Sequence, residues 1–425
     1  MQITTYLEQS MQSELSANVV DLCPVGALTS KPYVFEARPW ELKKTETIDV
    51  MDALGSNIRV DMRGREAMRI MPRNHDDVNE EWLSDKSRFV WDGLNTQRLD
   101  HPFIRRDGKL AAASWDEAFD LIESKLKGKG DTTAAIVGDL VCAEGQFALK
   151  GVMDALQSPH LDCRQDGAKI SGPRGNYLFN ATIAGIEEAD ALLLIGSNPR
   201  LEAPVLNARI RKRYLGGNFP IAAIGEPTDL TYQTEFIGAG SGTLADLLVG
   251  KQSFAETLKE ADNPMVIIGQ GALTRADGAA VLASAIELAA QTGASFNMLH
   301  TAASRVAGLD LGLLPGEGGL DVAGIQEGAQ SGAIENVVLY GADEIAGESL
   351  GDAFVIYIGS HGDRGAHRAD VILPAAAYTE KQATFVNTEG RAQMTEQAAP
   401  PPGDAREDWK IFRALSARLE VTLPY

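Results

Sequence analysis

Cysteine is scarce. Only Cys23, Cys142 and Cys163 occur in 425 residues, at wide and unequal spacing. That excludes a disulfide framework and a self-contained thiolate metal site, and it fits reducing surroundings. The six histidines, His75, His101, His160, His300, His361 and His367, form no i,i+4 pair and no Cys/His cluster, so a histidine zinc site is excluded as well. No stretch of eighteen consecutive apolar residues is present, and no membrane insertion is expected. Met1 to Ser16 lacks a basic n-region and an apolar h-region, so the expectation is a chain that stays on the cytoplasmic side. Basic residues are outnumbered, 39 Lys and Arg against 59 Asp and Glu, for a net charge of -20. Counterion release needs clustered cations on the protein, so nucleic acid is excluded as a partner. Neither a G-x-G-x-x-G after the first strand nor a P-loop is found, which argues against a local NADH or ATP site.

Three textures follow one another along the chain. Residues 1–44 contain a short helical stretch and then a run punctuated by Pro24, Pro32 and Pro39, which forbid a long helix. Residues 45–100 alternate apolar and polar side chains through Ile58–Met62 and again near Met68–Met71, as a small sheet does. From 101 to 425 short apolar runs recur, among them 134–138, 191–196, 265–269, 336–340 and 354–358, separated by amphipathic helical stretches. Such runs predict parallel strands covered on both faces, with the helices as crossovers. The expected fold class is therefore α/β, with stacked, doubly wound, mostly parallel sheets preceded by a small β-rich domain. Ser114 with Glu117 forms a capping box, and Gly293 stands where a helix over 276–292 would end.

Cys23 followed by Pro24 is how the last ligand of a bacterial four-iron cluster run reads. The stretch Val20-Asp21-Leu22-Cys23-Pro24-Val25-Gly26-Ala27-Leu28 and the following Ala37-Arg38-Pro39-Trp40 resemble the large iron–sulfur subunit of respiratory complex I. The resemblance implies that Cys23 is the fourth ligand of a 4Fe-4S cluster whose other three cysteines lie upstream, beyond Met1. It implies further modules there, with a 2Fe-2S cluster, so that this chain is expected to be a fragment.

Residues 45–100 resemble the small cluster domain that opens molybdenum and tungsten oxidoreductases, where cysteines bind a 4Fe-4S cluster. Here the corresponding positions are Asp49, Asp52, Ser56 and Ser84. Cluster iron needs thiolate, so a degenerate module that retains its fold is expected, with these four still converging and their oxygens hydrogen-bonded or solvated. Residues from Trp91 to Glu117, and later Ala369–Ala375 and Phe385–Gln393, resemble the molybdopterin-oxidoreductase body. That likeness implies a vestigial pterin cleft near Asp166, Asn198, Arg200 and Asn387, with no molybdenum. The turn Gly196-Ser197-Asn198-Pro199-Arg200 after an apolar strand offers the geometry of an anion site.

Taken together, these resemblances imply an iron–sulfur subunit of a proton-translocating NADH:quinone oxidoreductase, passing electrons from NADH through FMN and iron–sulfur centres to quinone. This segment would serve mainly as scaffold and would not be catalytic alone. Its implied partners are the other peripheral-arm subunits of complex I. The implied location is peripheral, on the cytoplasmic face of the inner membrane, or the matrix side in mitochondria. The alternative is a catalytic molybdenum enzyme of the formate-dehydrogenase kind.

Overall fold

The computed structural model describes residues 10–423. Part of the N-terminal stretch read as helical, residues 1–9, lies outside the described residues, and the first described helix is Asn18–Leu22. In chain order the strands are β1 (Lys43–Ile48), β2 (Asn57–Arg63), β3 (Glu66–Pro72), β4 (Phe103–Arg106), β5 (Lys109–Ala112) and β6 (Thr133–Val137). Next come β7 (His160–Asp162), β8 (Ala191–Ile195), β9 (Ile221–Ile224), β10 (Glu235–Gly238), β11 (Pro264–Gly269) and β12 (Ser295–Leu299). The last are β13 (Asn336–Tyr340), β14 (Phe354–Gly359), β15 (Val371–Pro374), β16 (Ala383–Val386) and β17 (Ala392–Thr395).

The chain packs as two compact units. Among the described residues, one comprises residues 10–92, Lys169–Thr301 and Thr388–Arg391; the other comprises Gly93–Ala168, Ala302–Asn387 and residues 392–423.

The first unit holds the small antiparallel sheet β1-β2-β3 and a five-stranded sheet of order β10-β9-β8-β11-β12, parallel throughout. β8 reads ALLLI and is buried at every position, because helices cover both faces of a parallel sheet. In register, Leu193 stands beside Ala222 on one side and Val266 on the other. The small sheet buries Ile48, Ile58, Val60, Met62 and Ile70, and beside it the loop residues Leu54 and Val78 enter the same cluster as Leu192, Leu194, Ile267 and Leu299. Each such aliphatic side chain contributes roughly 1.5–3 kcal/mol on full burial. That shared core fixes the loop that follows β1.

The second unit holds a seven-stranded sheet of order β5-β4-β15-β14-β13-β6-β7, in which β4 alone runs antiparallel to the rest. Ala134, Ile136, Val337, Leu339, Val355, Tyr357 and Ile372 make its core with the helix Val322–Ser331. Ser114 and Glu117 form the expected capping box on the helix Trp115–Leu126. The helix expected from 276 begins at Gly278 and ends at Gly293, whose φ of 72° is the left-handed conformation that glycine adopts without a Cβ clash.

Candidate functional site

The loop joining β1 to β2 brings Asp49, Asp52 and Ser56 to one place, and the helix Asp85–Phe89 adds Ser84 at its N-cap. All four positions are at most 1% exposed. The loop is clamped at its ends, since Asp49 N–H donates to the Ser56 carbonyl at 2.8 Å. A hydrogen-bond chain runs from Ser84 Oγ to Ser87 Oγ (2.9 Å) and on to Asp49 Oδ2 (2.6 Å). Asp52 Oδ1 accepts from Leu54 N–H at 2.9 Å. The structure thus joins Asp49 to both Ser56 and Ser84.

Burial, with the charge of Asp52 next, pushes the Asp49 carboxyl up to about 7, against the Ser87 hydroxyl that favours its ionised form. Burial also raises Asp52, opposed first by the backbone N–H of Leu54. The expectation that these oxygens are hydrogen-bonded or solvated holds for Asp49 Oδ2, Asp52 Oδ1 and Ser84 Oγ and is corrected for the other three. Asp49 Oδ1, Asp52 Oδ2 and Ser56 Oγ are buried without a hydrogen-bond partner. The shared core of the first unit draws the loop inward, which an isolated small domain could not do. Four oxygen-bearing residues without a thiol do not fit a four-iron cluster.

Cys23 follows the helix Asn18–Leu22 and is partly exposed. Backbone N–H groups of Leu28 and Val25, with smaller help from Ala27 and Gly26, hold its thiol below the ordinary value. A sulfur ringed by amides is suited to thiolate ligation, but it is a single ligand. Among the described residues no group of three His, Cys, Asp or Glu side chains could hold a metal ion. In the same N-terminal segment Leu22, Val25, Phe35 and Trp40 are all exposed.

The four residues expected at a pterin cleft fall in both units. Asn198 and Arg200 belong to the first, Asp166 and Asn387 to the second. In open α/β sheets a ligand crevice opens where the strand order reverses, here between β8 and β11 and between β6 and β13. At both places loop backbones approach each other closely at a glycine. A Cβ on Gly269 would lie 2.8 Å from the Gly196 carbonyl oxygen, and one on Gly138 would lie 1.8 Å from that of Gly341. The Gly196–Arg200 turn leads into the short helix Pro199–Glu202, and its donors are taken by the chain itself. Glu202 accepts from Ser197 Oγ at 2.7 Å and from Asn198 N–H at 3.0 Å. Arg200 is paired with Glu14 and Asp229, each at 2.9 Å. The anion expected at this turn is an internal carboxylate.

In the second unit Asp166 pairs with Arg305 at 3.1 Å, and Arg305 grips Asp139 through Nε (2.8 Å) and Nη2 (2.9 Å). Burial lifts the Cys163 thiol to about 12, so it is inert. Asn387 is buried at the end of β16. Asp166, Arg305 and Asp139, held by one another, do not fit a phosphate-bearing cofactor. Two buried clusters have no counterpart in the sequence reading. One is Arg305 with Asp139. The other gathers Lys381, Tyr340 and Cys142 on Asp408 Oδ2, at 2.5, 2.6 and 3.4 Å. Asp139, just beyond the carboxyl end of β6, was the one sequence signal for the first; the second had none. His361 is half-buried and bonds the Gly93 carbonyl and Ser360 Oγ.

Residues 98–418 match the molybdopterin oxidoreductase family, and the chain belongs to it. Two shorter matches narrow the likeness. Residues 42–92 match the NADH-ubiquinone oxidoreductase NDSU1/NuoG-like 4Fe-4S domain, and residues 1–29 the ferredoxin-like domain of NADH-quinone oxidoreductase subunit 3. The whole chain is 49% identical to the mitochondrial NADH-ubiquinone oxidoreductase 78 kDa subunit of Candida albicans and 45% identical to the NADH-ubiquinone oxidoreductase 75 kDa subunit of Reclinomonas americana. It spans 59% and 64% of the lengths of these relatives. Among solved structures, acetylene hydratase from Pelobacter acetylenicus aligns with a TM-score of 0.67 over 89% of this chain and 69% of its own, at 12% identity. That likeness shows the fold alone.

Proposed function

We propose that the chain is part of the large iron–sulfur subunit of an NADH:quinone oxidoreductase, in which electrons pass from NADH through FMN and iron–sulfur centres to quinone. The observation that carries this reading is identity of 49% and 45% over the full length of the chain to proteins named as subunits of such oxidoreductases. Within it, Cys23 is the fourth ligand of a 4Fe-4S cluster whose remaining ligands lie outside the chain, and the amides around its sulfur support that role. Residues 1–44 are the tail of the cluster-binding region, 45–100 a degenerate cluster module, and 101–425 a scaffold body. Asp49, Asp52, Ser56 and Ser84 are former cluster positions, and Asp166, Asn198, Arg200 and Asn387 mark a former pterin cleft. The internal carboxylates at Arg200, Ser197 and Arg305 weigh against the molybdenum alternative.

Its partners are the other peripheral-arm subunits, and its place is the cytoplasmic or matrix face of the membrane. No helix among the described residues is long and apolar enough to cross a membrane. Metal analysis of the purified complex, with electron paramagnetic resonance, tests the reading. Iron without molybdenum is expected, and Cys23→Ser should abolish or shift one four-iron signal while the others persist. Stoichiometric molybdenum would move the assignment to the molybdenum enzymes.

A further inference from the structure

We propose that Asp49, Asp52 and Ser56 form a binding site for one hard divalent cation, on the module whose relatives are described by an iron–sulfur cluster. Three oxygens carry the argument: Asp49 Oδ1, Asp52 Oδ2 and Ser56 Oγ are buried and have no hydrogen-bond partner. Their residues are 0%, 1% and 0% exposed. Each carboxylate is held by its other oxygen, Asp49 Oδ2 by the Ser87 hydroxyl and Asp52 Oδ1 by the Leu54 amide. What is left free on each acid is one oriented oxygen. The clamp between Asp49 N–H and the Ser56 carbonyl sets the third oxygen on the same closed loop.

Charge then decides what the three can hold. Two buried carboxylates without a counterion are strongly unfavourable. Five guanidiniums of this module pair with other acids: Arg59 and Arg69 with Asp61, Arg63 with Glu66, Arg73 with Glu46, and Arg88 with Asp21. Lys86 is exposed and gives its ammonium to the Met51 carbonyl at 2.6 Å. A water could bridge the oxygens but would leave the charge in place, and a proton would neutralise one acid and leave the other charged. A divalent cation neutralises both acids and takes all three oxygens as ligands, with water completing its shell. An all-oxygen set selects hard ions such as calcium or magnesium and rejects the soft or borderline metals that seek sulfur.

The test uses the whole chain, stripped with chelator and then dialysed against calcium chloride or magnesium chloride. One equivalent of one of these metals should be retained, and the melting temperature should rise by several degrees, since a ligand that binds only the folded state stabilises it. Asp52→Asn, of nearly the same shape, should lose both the retained metal and the shift while melting cooperatively without metal. Should that variant fail to fold, Ser56→Ala removes one neutral ligand and should weaken retention by about tenfold. Unchanged retention in Ser56→Ala, retention in the double variant Asp49→Asn/Asp52→Asn, or a wild-type chain that keeps neither metal would overturn the proposal. So would a melting temperature that responds to pH near neutrality and to neither metal, because the site would then hold a proton.

Discussion

Two clusters of buried acids differ in one respect. In the second unit Asp408 receives the Lys381 ammonium and the Tyr340 hydroxyl, and Asp139 receives both arms of Arg305. In the first unit Asp49 and Asp52 receive a hydroxyl and an amide but no buried cation. Lys381 and Arg305 are buried with their acids, and the attraction holds both above their ordinary values despite burial. Asp49 is raised for the opposite reason, being desolvated beside a like charge. Asp408 and Asp49, the same residue type at the same burial, are thus a fastening in one place and a liability in the other. The presence of a partner cation makes the difference.

The largest effect is expected where a cation is taken from a buried acid. Lys381→Met removes the ammonium from a side chain only 4% exposed and leaves Asp408 charged, with one oxygen that already lacks a partner. A loss of about 3–5 kcal/mol is expected in urea unfolding. A loss below about 1 kcal/mol would show that Asp408 takes up a proton at little cost, and the comparison would fail.

Removing charge from the unpaired cluster should act with the opposite sign. In metal-free protein Asp49→Asn relieves repulsion with Asp52, and a gain of about 1 kcal/mol at pH 8 is expected. The folded carboxyl titrates at about 7 and the unfolded one near its ordinary value of 3.8. Between these the folded state binds more protons, so its stability falls as pH rises through that window. Unfolding followed from pH 5 to pH 8 should show the fall in the wild-type chain and a smaller one in Asp49→Asn. Equal slopes would mean that Asp49 is already ionised when folded.

The smallest change is expected at the turn after β8. Glu202→Gln keeps an acceptor for Ser197 and the Asn198 amide but removes its charge, and roughly 0.5–1.5 kcal/mol should be lost in thermal or urea unfolding. A stabilised variant would mean that the carboxylate is no substitute for an anion.

The strands of the two large sheets were legible because a strand covered on both faces needs an unbroken apolar run, as at 191–195, 265–268 and 336–340. Local devices were legible for a similar reason. The Ser114–Glu117 capping box and the left-handed Gly293 involve residues within one turn of each other. The sequence by itself therefore determined the fold class, the helix ends and the thiol-free character of positions 49, 52, 56 and 84. Only the tertiary structure decided how deeply those acids are buried, because a core shared by Leu54, Val78 and Ile267 draws in a loop that would otherwise face water. It also decided the pairing of Arg305 with Asp139 and of Cys142 with Asp408, partners 166 and 266 residues apart. An ion pair or a buried thiol bond depends on which side chains meet, and at such separations the chain path, rather than any local pattern of residues, settles the meeting.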